Sequence, residues 1–290
     1  MKSGFVAVVG RPNVGKSTFV NQAVGTKVAI TSPRPQTTRN TIRGVVHGDD
    51  TQLVLVDSPG LHKPNTALGE RLNRLVYGTL AESDAALFVI DATGPIGPGD
   101  RLIAERLKES GVATVVAVNK TDIGDKDETG SQLAEAGEWD FAAYVPVSAL
   151  TGDNVSVVVD ELVTLMPDGP AYFPPDMVTD QPEQVVIAEL VREKYLARLR
   201  EELPHSLTVL VDDIEERPND ITYIGARVIV ERDSQKGIVI GHGGEMLKTV
   251  GQEARTEIEA LLGTSVFLDL RVKVEKDWQD QPLLLDRLGF

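Results

Sequence analysis

"FVAVVGRPNVGKST", residues 5–18, passes from an unbroken β-rich apolar run through two glycines into a helix-forming stretch. Its second half matches G-x-x-x-x-G-K-[ST], with strand and helix on the sides that this motif requires. Glycines let the backbone wrap a phosphate chain, so that main-chain N–H groups and the helix N-terminus face anionic oxygens. The whole loop is therefore expected to line a nucleotide: Gly10, Arg11, Pro12, Asn13, Val14, Gly15, Lys16, Ser17 and Thr18. Lys16 would reach the β- and γ-phosphates, and the Ser17 hydroxyl would ligate magnesium.

Outward from this loop, "QLVLV" (52–56), "AALFVI" (85–90), "TVVAV" (114–118) and "AYVPV" (143–147) are further β-rich runs, continuous as in strands covered on both faces. Helix-like segments at 69–82 and 99–111 alternate with them. Strand and helix in alternation predict an α/β domain, doubly wound around a mainly parallel sheet.

Each of three strands ends in a second polar signature. "DSPG" follows the run at 52–56, where a magnesium carboxylate belongs beside a phosphate loop. Asp57 would hold the ion through water, Ser58, Pro59 and Leu61 would border the nucleotide, and the Gly60 N–H would sense the γ-phosphate. "NKTD" (119–122) selects the base, because the Asp122 carboxylate can accept two hydrogen bonds from guanine's ring N–H and amino group. Adenine lacks that donor pair and would leave a desolvated carboxylate unpaired. Lys120 would pack its stem over the ring, Asn119 would tie the loop together, and Thr121 lies between them and Asp122. "SAL" (Ser148, Ala149, Leu150) puts small residues and N–H groups where guanine's carbonyl would sit.

Between the phosphate loop and "DSPG", "TSPRPQTTRNTIRG" (31–44) has almost nothing to bury and is expected to be ordered only by a ligand. A threonine on magnesium would do this; Thr38 is the expected ligand and Thr37 the alternative. Lys16, Thr38 and Gly60 form the expected catalytic set, and Ser17, Thr38 and Asp57 the magnesium set.

Residues 166–183 hold five of the chain's 16 prolines, which reads as a stiff linker. The expected domains are 1–166, a linker at 167–182, and 183–290. The last is expected to be α+β: a helix over 183–203, strands over 206–216 and 222–233, a helix to Leu262 and a strand over 264–276. Within it "GIVIGHGGEMLKTV" carries a G-x-x-G between a strand-like apolar run and a helix. Such a loop clamps a nucleic-acid backbone in KH domains, whose type II element order this half follows. Ile240, Gly241, His242, Gly243, Gly244, Lys248, Arg271 and Lys273 are the expected RNA contacts, with Val239, Ile240 and Leu247 as an apolar floor. Lys236 and Arg255 could add local positive charge.

The net charge of −15 argues against diffuse attraction to nucleic acid, so an RNA site must be a local groove. The 290 residues contain no cysteine, which excludes disulfides and thiolate metal sites, and no apolar run approaches the ~18 residues of a membrane span. His47, His62 and His205 lack zinc-ligand spacing. "REKYLARLREE" (192–202) reads as a solvated helix side, and Trp278 as a packing residue.

Together, "GRPNVGKST", "QTTRN", "DSPGLH", "NKTD" and "VSAL" resemble the translation-factor-related GTPases. With "FPPDMVTDQPE", "EELPHSLTV", "IGHGGEMLKTVGQEAR" and "LDLRVKVEKDW", nearly the whole chain resembles the KH-domain-containing ribosome-assembly GTPases of that class. The resemblance implies a slowly GTP-hydrolysing switch that binds the 3′ end of small-subunit ribosomal RNA and assists assembly of that subunit. It implies a cytoplasmic monomer, with peripheral contact at the inner face of the cell membrane left open. It also implies a potassium ion beside the phosphates, held by Asn13. Leu61 stands where Ras-like GTPases have the glutamine that orients the attacking water, so slow hydrolysis is expected. The alternative is a GTPase whose C-terminal domain docks on a protein or membrane surface.

Overall fold

The computed structural model describes residues 1–290 except Pro33, Pro35, Gln36, Leu61, His62, Lys63, Glu202 and Asn219. Contacts divide the chain into two units. The first comprises Met1–Thr31, Thr38–Asn65 and Gly69–Asp180; the second comprises Ser32–Thr37, Thr66–Leu68 and Gln181–Phe290. Among the described residues no helix is long and apolar enough to cross a membrane.

The first unit is built on a six-stranded sheet of order β2-β3-β1-β4-β5-β6. Its strands are β1 (Lys2–Val9), β2 (Ile42–Gly48), β3 (Thr51–Asp57), β4 (Ala85–Asp91), β5 (Ala113–Asn119) and β6 (Ala143–Val147). Only β2 runs antiparallel, against β3. Because side chains alternate across a strand, the continuous apolar runs supply two cores. Val6, Val8, Leu87, Val89, Val115 and Ala117 face one side, where they meet α1 (Lys16–Val24) and α5 (Val155–Leu165). Ala7, Val9, Phe88, Ile90, Val116 and Val118 face the other, against α2 (Ala67–Ala81), α3 (Pro98–Ser110) and α4 (Lys126–Gly137). This is the doubly wound α/β domain expected from the alternation. The four motif loops all follow carboxyl ends of parallel strands, where ligands of open α/β sheets bind.

Strand β2 overlaps the end of the polar segment 31–44, where the sequence pattern predicts no strand. Gly44 and the polar Arg43 and His47 mask its pattern; Ile42 and Val45 are buried while Arg43 stays out, as suits an edge strand. Residues 167–182 hold no helix or strand apart from an isolated bridge at Lys2–Asp168, yet up to Asp180 they belong to the first unit. The buried Gln52 side chain accepts from Tyr172 N (2.7 Å) and Phe173 N (3.0 Å) and donates to Phe173 O (2.9 Å). Val45 N donates to Val178 O (2.9 Å), and Arg43 pairs with Asp180 (2.6 Å). The prolines stiffen a strap along β2 and β3, which occupies backbone groups that an edge strand would otherwise leave open.

The second unit has a three-stranded sheet, β7 (Thr208–Arg217), β8 (Ile221–Val230) and β9 (Ser265–Val274), with β7 antiparallel and β9 parallel to β8. On one face pack α6 (Glu183–Arg198), α8 (Asp233–Ile240) and α9 (Glu245–Leu262), with Ile187, Val191, Tyr195, Val228, Val250, Ala254 and Ile258 fully buried. Two further short helices are α7 (Leu203–Ser206) and α10 (Pro282–Arg287).

The strand-like run "GIVI" is the end of α8, not a strand. Gln235 accepts from the N–H groups of Glu231 (2.9 Å) and Arg232 (3.1 Å), capping the helix start, and only Val239 of the run is buried. Val239 is thus core rather than groove floor. The expected solvated face at 192–202 is also largely interior: Arg192 and Tyr195 are buried, Arg192 pairs with Glu189 (2.6 Å), and Lys194 and Arg198 pair with Glu257 and Glu253. Trp278 is a packing residue, buried, donating to Ser206 O (2.9 Å) and stacked on Phe290.

Phe88 is wholly buried and stacks on Trp139 at 5.6 Å between centroids. Phe88→Ala is expected to lower the first unit's stability by about 3–5 kcal/mol, read from its urea transition.

Candidate functional site

The phosphate loop begins where β1 ends. Gly15 has φ 100°, and a Cβ there would lie 2.2 Å from the Asn119 side-chain nitrogen. A Cβ on Gly10 would lie 2.4 Å from the Val89 carbonyl oxygen. Both positions therefore need glycine, and the motif's spacing is a packing requirement as well as a phosphate cradle. Arg11 Nε donates to Asp100 (2.8 Å), a buried carboxylate on α3 that also accepts from Gly97 N, which fixes the loop's second residue.

Lys16 is buried, its ammonium donating to the carbonyls of Gly10 (3.2 Å) and Arg11 (3.0 Å). Burial pushes its pKa down to about 8, with Asp57 opposing the shift. Asp57, at the end of β3, is fully buried, and burial raises its carboxyl above the usual range against the pull of Lys16 and of hydrogen bonds from Ser17 and Thr38. Ser17 Oγ donates to Asp57 Oδ2 (2.6 Å) and lies 3.0 Å from Thr38 Oγ1, which is 3.3 Å from the same carboxylate oxygen. The Thr37 hydroxyl instead donates to Arg34 O (2.6 Å). Asp57 Oδ1 is buried without a hydrogen-bond partner among the described residues. Two hydroxyls and a carboxylate with a spare lone pair form an all-oxygen donor set that fits magnesium. A Cβ on Gly60 would approach Pro12 N at 2.7 Å, so "DSPG" lies directly against the phosphate loop, and Ser58 donates to Val8 O (3.0 Å). Leu61 lies outside the described residues.

The base loops are joined by one amide. Asn119, nearly fully buried, donates to Val14 O (2.8 Å) and accepts from Ala149 N (2.8 Å), linking the phosphate loop to "SAL". Asp122 accepts from the buried Ser148 hydroxyl (2.7 Å) while staying exposed to a ligand. Lys120, with φ 73°, pairs with Asp91 (2.6 Å) at the end of β4. Burial raises the Asp91 carboxyl, but hydrogen bonds from Lys120 and Thr93 outweigh it and hold the group below the usual range. Thr121 N donates to Val147 O (3.3 Å), and Leu150 is 74% exposed.

In the second unit "GHGG" forms a tight turn between α8 and α9. Gly241 has φ 77°, and a Cβ there would meet Met246 Cβ at 2.7 Å. His242 and Gly243 are exposed, and Gly244 caps α9, whose free N–H groups carry the positive end of the helix dipole. A groove runs from this turn between α9 and β9, lined by Gly244, Leu247, Lys248 and Arg255 on one side and by Phe267, Leu268 and Leu270 on the other. Lys248 borders it as expected, whereas Ile240 does not. Arg271 and Lys273 project from the outward side of β9 and pair with Asp269 (2.7 Å) and Glu275 (2.5 Å).

Residues 5–120 match the profile described as 50S ribosome-binding GTPase, and residues 202–279 match a KH domain. GTPase Era of Mycobacterium avium is 55% identical over an alignment that spans 100% of this chain and 99% of that protein. The chain belongs to the GTPase Era family. Two crystal structures of Era superpose with a TM-score of 0.96 at 38% identity, covering 100% of this chain and 99% of theirs. One is a variant of Aquifex aeolicus Era bound to GDP·AlF4−, the other Era with MgGDPNP and nucleotides 1506–1542 of 16S ribosomal RNA.

The site contains residues that motif reading missed. Asp91 and Asp100 hold Lys120 and Arg11, but their partners lie far along the chain. Phe267, Leu268 and Leu270 line the groove only because β9 is parallel to β8 and lies beside α9. A hydrophobic strand marks itself in sequence, but its neighbour does not.

The lowered pKa of Lys16 has a measurable consequence. Contact with phosphate stabilises the ammonium and raises its pKa above about 8, so GTP binding just above pH 8 takes up a proton and weakens as pH rises. Calorimetry in buffers of different ionisation enthalpy should give buffer-dependent heats there; equal heats in all buffers refute it.

Proposed function

We propose that this Era-family chain is a GTP-hydrolysing switch whose C-terminal domain binds the 3′ end of small-subunit ribosomal RNA and serves assembly of that subunit. Residues 1–166 act as the nucleotide domain and 183–290 as the RNA domain. The observation that carries the reading is the convergence of Ser17, Thr38 and Asp57 on one point beside Lys16, three segments far apart in sequence meeting where a γ-phosphate and its metal belong. The full-length likeness to an Era solved with MgGDPNP and a 16S fragment supports the RNA half.

Lys16 binds the β- and γ-phosphates, and the Gly60 N–H meets the γ-phosphate. Ser17, Thr38 and Asp57 would hold magnesium, which when bound offsets negative charge on the phosphates. Asp122 takes guanine's two N–H donors, Lys120 covers the ring, and Asn119 keeps the two base loops at fixed spacing. Thr38 is the residue through which nucleotide state acts: with the triphosphate bound its hydroxyl is held, and after water attacks the γ-phosphorus to give GDP and phosphate it is released.

Asn13 sits at φ 64° in the exposed crest of the phosphate loop, and we assign it to a potassium ion that offsets transition-state charge. Hydrolysis should then run faster in potassium than in sodium, and Asn13→Ala should remove that difference; equal rates in both salts sink the assignment. For the RNA domain, Gly243→Asp, an exposed turn position, should weaken binding of the 16S 3′ fragment by about tenfold or more, since a carboxylate would face phosphate. Gly243→Asn, which suits the same backbone without the charge, should stay near wild type. Filter-binding with unchanged affinity for Gly243→Asp would move the RNA away from this turn.

A further inference from the structure

The outward face of the second unit's sheet carries an aromatic stack that the nucleotide site does not use and that meets the glycine-turn groove only at Phe267. Tyr223 on β8 and Phe267 on β9 are register partners, their rings stacked at 6.0 Å between centroids and 17° between planes. From β7, the Arg217 guanidinium lies over the Tyr223 ring, 4.0 Å from its centroid. The stack therefore crosses the sheet in the order Arg217, Tyr223, Phe267 and ends at the edge strand. Tyr223 is pinned by its hydroxyl, which donates to Asp269 (3.1 Å). Phe267 is 57% exposed, a large apolar surface to leave in water.

Two features decide what could cover it. Phe267 also lines the groove between α9 and β9, so the ring stands at the lip where that groove opens onto the sheet edge. Of the cations nearby, Arg271 is paired with Asp269, Lys273 with Glu275 and Arg227 with Asp212, Arg217 lies over the Tyr223 ring, and β7 adds Asp213 and Glu215 to the same face. This face repels phosphate, so an occupant must present an uncharged flat surface while its charged part lies elsewhere. Across the groove, on α9, Lys248 is exposed and has no ion-pair partner among the described residues. A single strand with its backbone along α9 and one base turned over the β9 lip meets both demands, because every base has a π face whatever its sequence.

We propose that Phe267, backed by Tyr223 and Arg217, is a stacking platform for an unpaired base of the same RNA strand that occupies the glycine-turn groove. The site rests on the RNA reading above, extends it by one nucleotide beyond the groove, and takes the base by its face, without reading its edge.

The test is a double-mutant cycle with the full chain and an RNA of nucleotides 1506–1542 of 16S ribosomal RNA, in which a single abasic nucleotide is walked through the unpaired segment. Phe267→Ala should weaken binding of intact RNA about 5- to 150-fold, the range for losing one stacked base, and Phe267→Trp should restore it. At one abasic position, and there only, Phe267→Ala should cost nothing further. GTP turnover should be unchanged, and the thermal transition should fall only slightly, through loss of the stack on Tyr223, with Phe267→Trp restoring it. Additive losses at every position, or wild-type affinity of Phe267→Ala for intact RNA, overturn the platform while RNA binding stands, and would leave the ring to a protein contact. Failure of the wild-type chain to bind the intact RNA overturns the RNA reading and the platform together.

Discussion

The nucleotide site depends on two charges that the fold buries before any ligand arrives. Lys16 and Asp57 lie out of water, each pushed toward its neutral form, and one Asp57 oxygen has no hydrogen-bond partner among the described residues. Burying such groups costs several kcal/mol unless they are paired and fully hydrogen-bonded. A bound polyphosphate and divalent cation would complete that pairing, and part of the free energy of folding would then be held as a preference for the bound state. Thr38 shares the same carboxylate oxygen as Ser17, which makes the polar segment's position sensitive to what occupies the site.

Around that pair, the sheet supplies position. Phosphate loop, "DSPG", "NKTD" and "SAL" lie over two hundred ångströms of extended chain in sequence terms, at about 3.3 Å per residue, yet all emerge from one end of adjacent parallel strands. The Asn119 amide then fixes two of them to each other with hydrogen bonds at 2.8 Å, and the absence of a side chain on Gly15 leaves room for it. The second unit uses related means for a different ligand. Its turn also places glycine where a side chain would strike a helix, at Gly241 and Met246, and also leaves a helix N-terminus open beside it. The two loops differ in what surrounds them: buried charge in one, an apolar groove with a few exposed cations in the other.

Much of this was legible in the chain. The β-rich runs predicted β1 and β3 to β6, because strands covered on both faces must be continuously apolar. The three GTPase motifs announced their own loops, since close backbone packing tolerates few residues there. What failed had a physical pattern. Strand β2 is an edge strand with one wet face, so its apolar signal is thin. "GIVI" has β-branched residues, but the Gln235 cap and the single buried Val239 make it helix. Residues 192–202 look amphiphilic and solvated, yet Lys194 and Arg198 pair with Glu257 and Glu253 of α9, and only the packing of α6 against α9 shows that.

The sequence by itself determined the class of each unit, the nucleotide loops and the family, because these depend on local spacing and on residue types that few backbones accept. Tertiary structure decided which side chains meet. Only there does Thr38, rather than Thr37, face Ser17 and Asp57; only there do Asp91 and Asp100 reach Lys120 and Arg11; and only there does Phe267 reach the groove's lip while Arg271 and Lys273 turn away from it. Strand neighbours and the sign of each pleat are set by the cooperative burial of whole cores, and no short stretch of chain encodes them.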